Sequence, residues 1–210
     1  MASSAQRMVV EQLIPHGVTD ERVLRVMAEI PREEFLTGRA RRHAYEDRAL
    51  AIGCGQTISQ PLVVALMTQS LNLTPESIAL EVGTGSGYQA AILSRLCRRV
   101  ITVEREAALA EQASAALRRL GFANVEVAVG DGSLGWPADA PYDAILVACA
   151  ATQVPPPLIE QLAEGGRLVV PVQVTSDEPQ DLRLYVKSEG SVSYRSLFPV
   201  LFVPLRTGTG

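Results

Sequence analysis

Leu80-Glu81-Val82-Gly83-Thr84-Gly85-Ser86-Gly87-Tyr88 is the stretch that decides the fold. A buried-strand pattern over 77–82 runs into glycines at 83, 85 and 87, and a helical pattern starts at Gln89-Ala90-Ala91-Ile92-Leu93. Glycines at a strand-to-helix turn let the chain bend sharply and let a ligand reach the main chain without meeting Cβ atoms. A dinucleotide fingerprint reads Gly-x-Gly-x-x-Gly. Here the third glycine comes one residue early, and Tyr88 holds the fingerprint position. Glu81 lies inside the strand, where its charge would repel a nearby phosphate. The spacing fits a ligand without phosphates that carries an ammonium group, such as S-adenosylmethionine. For the glycines alone, a plain strand–helix turn with no ligand is the competing reading.

The units that follow extend the pattern. Residues 99–103 read as a second strand ending at Glu104, about 20 residues beyond the glycines, where an acid suits hydrogen bonds to a ribose diol. An exposed strand-end carboxylate is the plainer alternative. A helix over 107–120, with Gly121 as its cap, leads to a strand over 125–129 and then to Gly130-Asp131-Gly132. Asp131 there makes a turn or presents its carboxylate to an exocyclic amine such as adenine offers. Three successive strands ending in an acid or a glycine turn agree with ligand binding at the carboxyl ends of an open parallel sheet. Residues 142–147 and 167–172 read as further buried strands. Between them, Pro155-Pro156-Pro157 opens a helix through Leu162 that Gly165-Gly166 closes. The tail from 180 to 205 alternates at Leu182, Leu184 and Val186 and reads as two or three antiparallel edge strands with Gly190 in a hairpin. The pattern argues for a doubly wound α/β sheet.

Before the first of these strands lie roughly 75 residues of helical character, the size of a small helical segment rather than of a second full domain. Helices are expected over 5–13 and 19–30, the second capped by Thr19 or Asp20 with Glu21 and Glu29 exposed. An irregular loop, 52–61, then precedes a helix whose apolar face is Leu62, Ala65, Leu66 and Leu71. In that loop Gln56, Thr57, Ser59 and Gln60 place small polar groups beside a helix start. Ser59 or Gln60 serves as the cap with Pro61 as the first helical residue, and hydroxyls with free N–H groups there suit a carboxylate ligand. Asp47 and the neighbouring arginines read as solvated charge.

The 210 residues suit one domain with a substantial core, and the 47% apolar and 20% charged fractions are those of a globular chain. A net charge of −4 without a basic stripe argues against nucleic-acid binding. Cys54, Cys97 and Cys149 are widely spaced and read as small buried residues of a reducing compartment, and His16 and His43 lack ligand partners, so no metal is expected. No signal-peptide core or transmembrane run is present, which points to a cytoplasmic chain without membrane contact.

Several runs together resemble the protein-L-isoaspartate O-methyltransferase family across nearly the whole chain. They are Ile30-Pro31-Arg32-Glu33 leading to Phe35, and Ala49 to Gly53 leading into Gly55-Gln56-Thr57-Ile58-Ser59-Gln60-Pro61. The glycine turn, Val103-Glu104-Arg105, Gly130-Asp131-Gly132, Tyr142-Asp143-Ala144-Ile145, Gly165-Gly166 and Phe202-Val203-Pro204-Leu205 complete the match. The Gln-Thr-Ile-Ser-Gln-Pro loop is specific to this family, whereas many methyltransferases share the glycine turn.

The resemblance implies a Rossmann-like, seven-stranded S-adenosylmethionine-dependent methyltransferase sheet in a single domain over 1–210. A helical and substrate-loop segment (1–75) would precede the cofactor-binding sheet and antiparallel C-terminal strands (76–210). It implies methyl transfer to the free α-carboxylate of L-isoaspartyl residues in damaged proteins and peptides, with S-adenosyl-L-homocysteine as coproduct and a monomeric enzyme. By resemblance Ser59 is the catalytic residue, and Gln56, Thr57 and Ile58 flank cofactor and substrate. Glu81, Gly83, Thr84 and Gly85 fall to the methionine portion, Glu104 with Arg105 to the ribose, and Asp131 with Gly132 to the adenine end. The chain departs from animal members, which carry histidines just after the proline where Leu62 and Val64 stand, and a threonine where Arg206 stands.

An α-carboxylate of pKa about 3.5 is ionised at neutral pH, so this chemistry needs no general base, and the chain shows no His-Asp pair. Alignment of the reacting atoms, worth roughly 7–11 kcal/mol, is what the protein must supply; Ser59 is expected to position the carboxylate. The rival within the same chemistry is a carboxylate O-methyltransferase acting on a different peptide or small molecule. Tyr88 and Glu81 disfavour an NAD-dependent oxidoreductase, and a non-catalytic binding protein would not need an intact substrate loop.

Overall fold

The computed structural model describes residues 3–175 and 178–208. Short helices build the N-terminal segment. α1 (Ser4–Met8) opens with a Ser3/Gln6 capping box and continues through a π-helical turn (Val9–Leu13) and a 3-10 turn (Ile14–His16). The helix expected over 5–13 is therefore present, but only its first part is α-helical. α2 (Glu21–Glu29) starts at Asp20, whose carboxylate accepts from the Arg22 backbone N–H at 2.9 Å and from the Arg22 guanidinium. It turns Val23, Val26 and Met27 into the core and leaves Glu21 and Glu29 in solvent.

The expected irregular loop is a hairpin in its first part. β1 (Leu50–Gly53) pairs antiparallel with β2 (Gln56–Ile58), and Gly53, Cys54 and Gly55 all have positive φ. Cys54 at the tip is exposed, contrary to the expectation that all three cysteines are buried, because the turn projects it beyond both strands; Cys97 and Cys149 are buried. α3 (Pro61–Ser70) follows with Pro61 at its first position. Its inward residues are Pro61, Val64, Ala65, Met67 and Thr68, while Leu62 and Leu66, expected in the core, are half-buried. The helix is apolar nearly all round, so the face that packs is not legible from periodicity.

Seven strands form the main sheet: β3 (Ile78–Val82), β4 (Arg99–Glu104), β5 (Val125–Val129), β6 (Tyr142–Val147), β7 (Leu162–Val172), β8 (Gln180–Ser188) and β9 (Ser191–Val200). Their order is β5-β4-β3-β6-β7-β8-β9, parallel from β5 to β7 and antiparallel thereafter. α4 (Tyr88–Ser94) follows β3 and α5 (Ala107–Arg119) follows β4. β3, β4 and β6 are buried on both faces, as central parallel strands covered by helices must be. Alternate residues face two cores: Ala79, Val100, Ala144 and Leu146 join Leu13, Met27 and Ile92 on one side, and Leu80, Val82, Ile101, Ile145 and Val147 join Tyr142 and Leu158 on the other. The first core runs through both the N-terminal helices and the sheet.

One boundary differs from the sequence reading. α6 (Pro156–Glu160) stops before Leu162, and β7 begins there rather than at Arg167. Leu162 pairs with Tyr142 and Arg167 with Ala144, so the residues between form a bulge that holds Gly165 at φ 76°. Gly165-Gly166 thus absorb extra residues inside a strand instead of ending a helix. The bulge is anchored by Glu164, whose carboxylate accepts N–H groups from Glu189 and Gly190 in the β8–β9 hairpin turn.

Asp20 gives a direct check on the N-terminal segment. Asp20→Ala removes the N-cap and should lower stability by about 1 kcal/mol, whereas Asp20→Asn, which keeps the capping oxygen, should lose less. Denaturant melts of the two variants measure the difference.

Candidate functional site

The strand order reverses between β3 and β6, and that is where an open α/β sheet leaves a crevice beyond its strand ends. The chain builds the crevice with glycine. The Gly83 N–H donates to the Val103 carbonyl at 2.9 Å, while the Ala148 N–H donates to the Val82 carbonyl at 2.8 Å. β3 thus stays tied to β4 on one side and to the end of β6 on the other while its chain turns away at Gly83, φ 94°. Gly132 has a different reason to be glycine: a Cβ there would lie 2.4 Å from Val82 Cγ1.

Of the twelve residues given a site role from the sequence, eleven line one cavity at this point: Gln56, Thr57, Ile58, Ser59, Glu81, Gly83, Thr84, Gly85, Glu104, Arg105 and Gly132. Asp131 is not among the lining residues. Its Oδ1 accepts from the Ser133 backbone N–H and hydroxyl, and its Oδ2 from the Gly208 N–H at 2.5 Å. These donors hold its carboxyl below the usual aspartate range against the effect of its partial burial. In this conformation the carboxylate fastens the C-terminal tail beside the cavity.

The two glutamates in the cavity differ in kind. Glu104 has one backbone donor on each oxygen: Oε2 accepts the Gly85 N–H at 2.8 Å and Oε1 the Glu106 N–H at 3.1 Å, so it holds the glycine turn in shape and keeps acceptor capacity on both oxygens. Glu81 is fully buried, with Oε2 accepting from the Thr102 hydroxyl at 2.6 Å, and Thr102 in turn lies 2.7 Å from the Thr84 hydroxyl. Its other oxygen, Oε1, is buried with no partner. Burial pushes the Glu81 carboxyl up to about 8, the Thr102 hydrogen bond opposes this, and the neighbouring Glu104 charge adds to it. A buried carboxyl oxygen without a donor, at the floor of a cavity, is a place for a cationic ligand group.

Sequence reading missed part of the lining. Val82, Val103, Ala148 and Cys149 supply apolar wall, and Ser86, Tyr88 and Gln89 come from the turn and the first residues of α4. Val203 to Arg206 close one side: the Ala150 N–H donates to the Val203 carbonyl at 2.8 Å, and the Leu205 N–H to the Ala150 carbonyl at 2.7 Å. Val64 and Arg206, where the chain departs from animal members of the resembled family, both line the cavity. Position in the alternating pattern of β3, β4 and β6 could have identified the apolar wall, whereas the tail is marked only by the family resemblance of its Phe202-Val203-Pro204-Leu205 run and not by any local pattern.

A second groove adjoins the first and shares Thr57, Ser59, Ala148 and Val203 with it. Leu62, Val63 and Leu66 of α3 form one side, and Phe198, Pro199, Leu201 and Phe202 the other. This explains why Leu62 and Leu66 are not in the core. Asp47 also lines the groove and is more than solvated charge: its Oδ2 accepts from Gln60 Nε2 at 2.7 Å and its Oδ1 from the Leu62 N–H at 3.2 Å. The α3 donor expected to be free for a carboxylate ligand is therefore taken by this side chain.

Among the described residues no group of three or more His, Cys, Asp or Glu is placed to hold a metal ion, and no helix is long and apolar enough to cross a membrane. The His43 ring nitrogen Nδ1 lies 2.5 Å from the Glu46 carboxylate.

Comparison with known proteins agrees with this geometry. The family model described as protein-L-isoaspartate(D-aspartate) O-methyltransferase matches residues 4–210. A protein-L-isoaspartate O-methyltransferase of Synechococcus sp. (strain JA-2-3B'a(2-13)) is 50% identical over 209 residues, covering 97% of this chain and 86% of the relative. One from Methanoculleus marisnigri is 50% identical over 200 residues, covering 95% and 90%. A solved protein-L-isoaspartate O-methyltransferase structure superposes with a TM-score of 0.86 at 33% identity, covering 95% of this chain and 65% of that one. A Plasmodium falciparum structure of the same description, in complex with S-adenosyl-L-homocysteine, gives 0.82 at 26% identity over 97% of this chain and 99% of that one. The chain belongs to the protein-L-isoaspartate(D-aspartate) O-methyltransferase family.

Proposed function

We propose that this protein transfers a methyl group from S-adenosylmethionine to the free α-carboxylate of L-isoaspartyl residues in proteins and peptides. The observation that carries the reading is that Ser59 stands in the wall shared by the glycine-turn cavity and the adjoining groove, where a donor and an acceptor would meet. Family membership supplies the substrate class. A monomeric enzyme with one domain over 1–210 is part of the same reading.

The residues present fit the cofactor. Glu81, with its unpartnered oxygen, suits the ammonium of the methionine portion, and Gly83, Thr84 and Gly85 suit the backbone-lined approach to it. Glu104 and Arg105 suit the ribose, and Gly132 the adenine end, with Asp131 available there once the tail N–H gives way. Gln56, Thr57 and Ile58 border the donor and acceptor sides together. When bound, the cofactor supplies an activated sulfonium methyl and leaves as the neutral thioether.

The chain's own residues have little proton chemistry to do, because the acceptor carboxylate is already ionised near neutral pH. Their work is alignment. Ser59 directs one carboxylate oxygen through its hydroxyl, the groove formed by α3 and residues 198–203 holds the flanking peptide, and the apolar wall excludes water. The methyl ester so formed carries a methoxide leaving group that the carboxylate lacks, which favours attack by the next backbone amide nitrogen, succinimide closure with loss of methanol, and partial reopening by water as aspartate.

Incubation with labelled S-adenosylmethionine and paired peptides differing only in Asp or isoAsp tests the reading. Label on the isoAsp peptide alone is expected; label on neither would point to a different carboxylate substrate. Ser59→Ala should lower turnover about 10- to 100-fold, the range for losing a hydrogen bond to a charged group, while S-adenosyl-L-homocysteine affinity stays within about threefold. Unchanged turnover would remove Ser59 from the site.

Glu81 carries a pH signature. Burial raises its folded pKa to about 8, above the ordinary glutamate value of about 4.3, so between those values the ligand-free native state holds a proton that the unfolded chain does not. The group's contribution to stability is then present at low pH and falls as pH rises through that window. An ammonium ligand draws the proton off, so S-adenosyl-L-homocysteine binding should tighten from pH 6 to 8 and level off above. Glu81→Gln should bind more weakly, lose that slope and, without ligand at pH 8, melt higher than the parent. Calorimetry and thermal melts read both, and an unchanged slope in the variant would exclude Glu81 as the titrating group.

A further inference from the structure

Arg32 is the one arginine among the described residues with no solvent exposure, and the established fold gives it no carboxylate partner. It follows Pro31 in a 3-10 turn (Arg32–Phe35). Its Nε donates to the Ala44 carbonyl at 2.7 Å and its Nη2 to the Ser59 carbonyl, also at 2.7 Å. Nη1 is buried with no partner. The guanidinium plane lies over the Tyr88 ring, with Cζ 4.8 Å from its centroid, and Phe35 meets the same ring edge-on at 5.5 Å.

A buried cation satisfied by two carbonyls and an aromatic face is an expensive way to fill space. Desolvation dominates its environment and works against the charge, and apolar side chains of similar volume generally serve packing as well or better. What the planar fork does offer is geometry: two donors at a fixed angle and a flat face, none of which a methionine or a lysine reproduces. One end of that fork holds the peptide plane that follows Ser59 and so fixes the direction of the Ser59 side chain. The face rests on Tyr88, which starts α4 directly after the glycine turn and lines the cavity.

We propose that Arg32 is a positioning residue that sets the distance between Ser59 and the glycine turn, and so between methyl acceptor and methyl donor. This rests on the reading of Ser59 given above. Arg32 touches neither reactant; it acts through the Ser59 carbonyl and Tyr88. Misplacement of about 1 Å remote from the chemistry can cost about 100-fold in rate, so loss of the fork should appear in turnover while cofactor binding, governed by the turn itself, changes little.

The test compares Arg32→Lys and Arg32→Met with the parent chain. The measurements are kcat and KM on an isoAsp peptide, S-adenosyl-L-homocysteine affinity by calorimetry, and hydrogen exchange of residues 56–60. For Arg32→Lys we expect kcat to fall about 10- to 100-fold, with cofactor affinity within about threefold and faster exchange confined to 56–60. Arg32→Met should fall further, leaving the lysine variant as partial rescue. The proposal is overturned if Arg32→Lys keeps kcat within about twofold, or if it loses cofactor affinity by the same factor as kcat. It is likewise overturned if the lysine variant fails to fold, since Arg32 would then serve the fold alone. If the parent chain itself leaves isoAsp peptide unlabelled, the substrate reading fails, whereas unchanged exchange at 56–60 in the lysine variant would sink the Arg32 proposal separately.

Discussion

The parting of the chain from β3 at Gly83 is the constraint on which the rest of the site depends. β3 pairs with β4 and β6 up to Val82, both parallel to it, and keeps one further bond to β4 from the Gly83 N–H. The chain can leave between them only by a sharp turn, which Gly83, Gly85 and Gly87 allow with φ of 94°, 52° and 85°. That turn opens the crevice and starts α4 close against α5, where Gly87 has Ala113 and Leu117 for neighbours. A side chain at these positions would meet backbone strain before it met any ligand.

Two buried ionisable groups flank this turn, and they are handled differently. Glu81 gives up its charge: burial keeps it protonated near neutral pH and leaves one oxygen without a donor. Arg32 cannot give up its charge at any ordinary pH, so it is held by carbonyls and a ring instead. On the proposed reading the first arrangement takes the ligand ammonium, which would restore both the charge and the missing hydrogen bond. The second is held by the polypeptide itself, through two carbonyls and a ring, and fixes it in place. Destabilisation concentrated at Glu81 is the kind of local cost that binding sites carry.

The sheet was legible in the sequence because its signals are local. Apolar runs of strand length at 78–82, 99–104 and 142–147, each followed by a turn or helix signal, specify parallel strands with little help from distant residues. The hairpin of β1 and β2 was not legible, since strands of four and three residues on either side of Gly53-Cys54-Gly55 are too short to show alternation. Gly165-Gly166 misled for a related reason: a glycine pair has the same appearance at a helix end and in a bulge, and only pairing with Tyr142 and the Glu164 anchor distinguish them. Within the site, residues on strand ends announced themselves by type, as Glu81 and Glu104 did. Val203 to Arg206 reach the cavity only through backbone bonds to Ala150, a contact that has no signature in either segment.

Asp131 shows how those two levels meet. By type and place it suits an adenine amine, yet its carboxylate is engaged by Ser133 and by the Gly208 N–H of the same tail whose earlier residues wall the cavity. Ser133 holds Oδ1 through two short-range bonds that belong to the turn, and these leave Oδ2 as the oxygen open to exchange. The tail bond is a single one from an exposed residue, so water or a ligand amine competes with it on nearly equal terms. A wall fastened at Ala150 by two buried-side backbone bonds and at Asp131 by one exchangeable bond is firm along the sheet and loose at its end. On the proposed reading, an adenine amine at this end would take the place of the Gly208 N–H on Asp131 Oδ2.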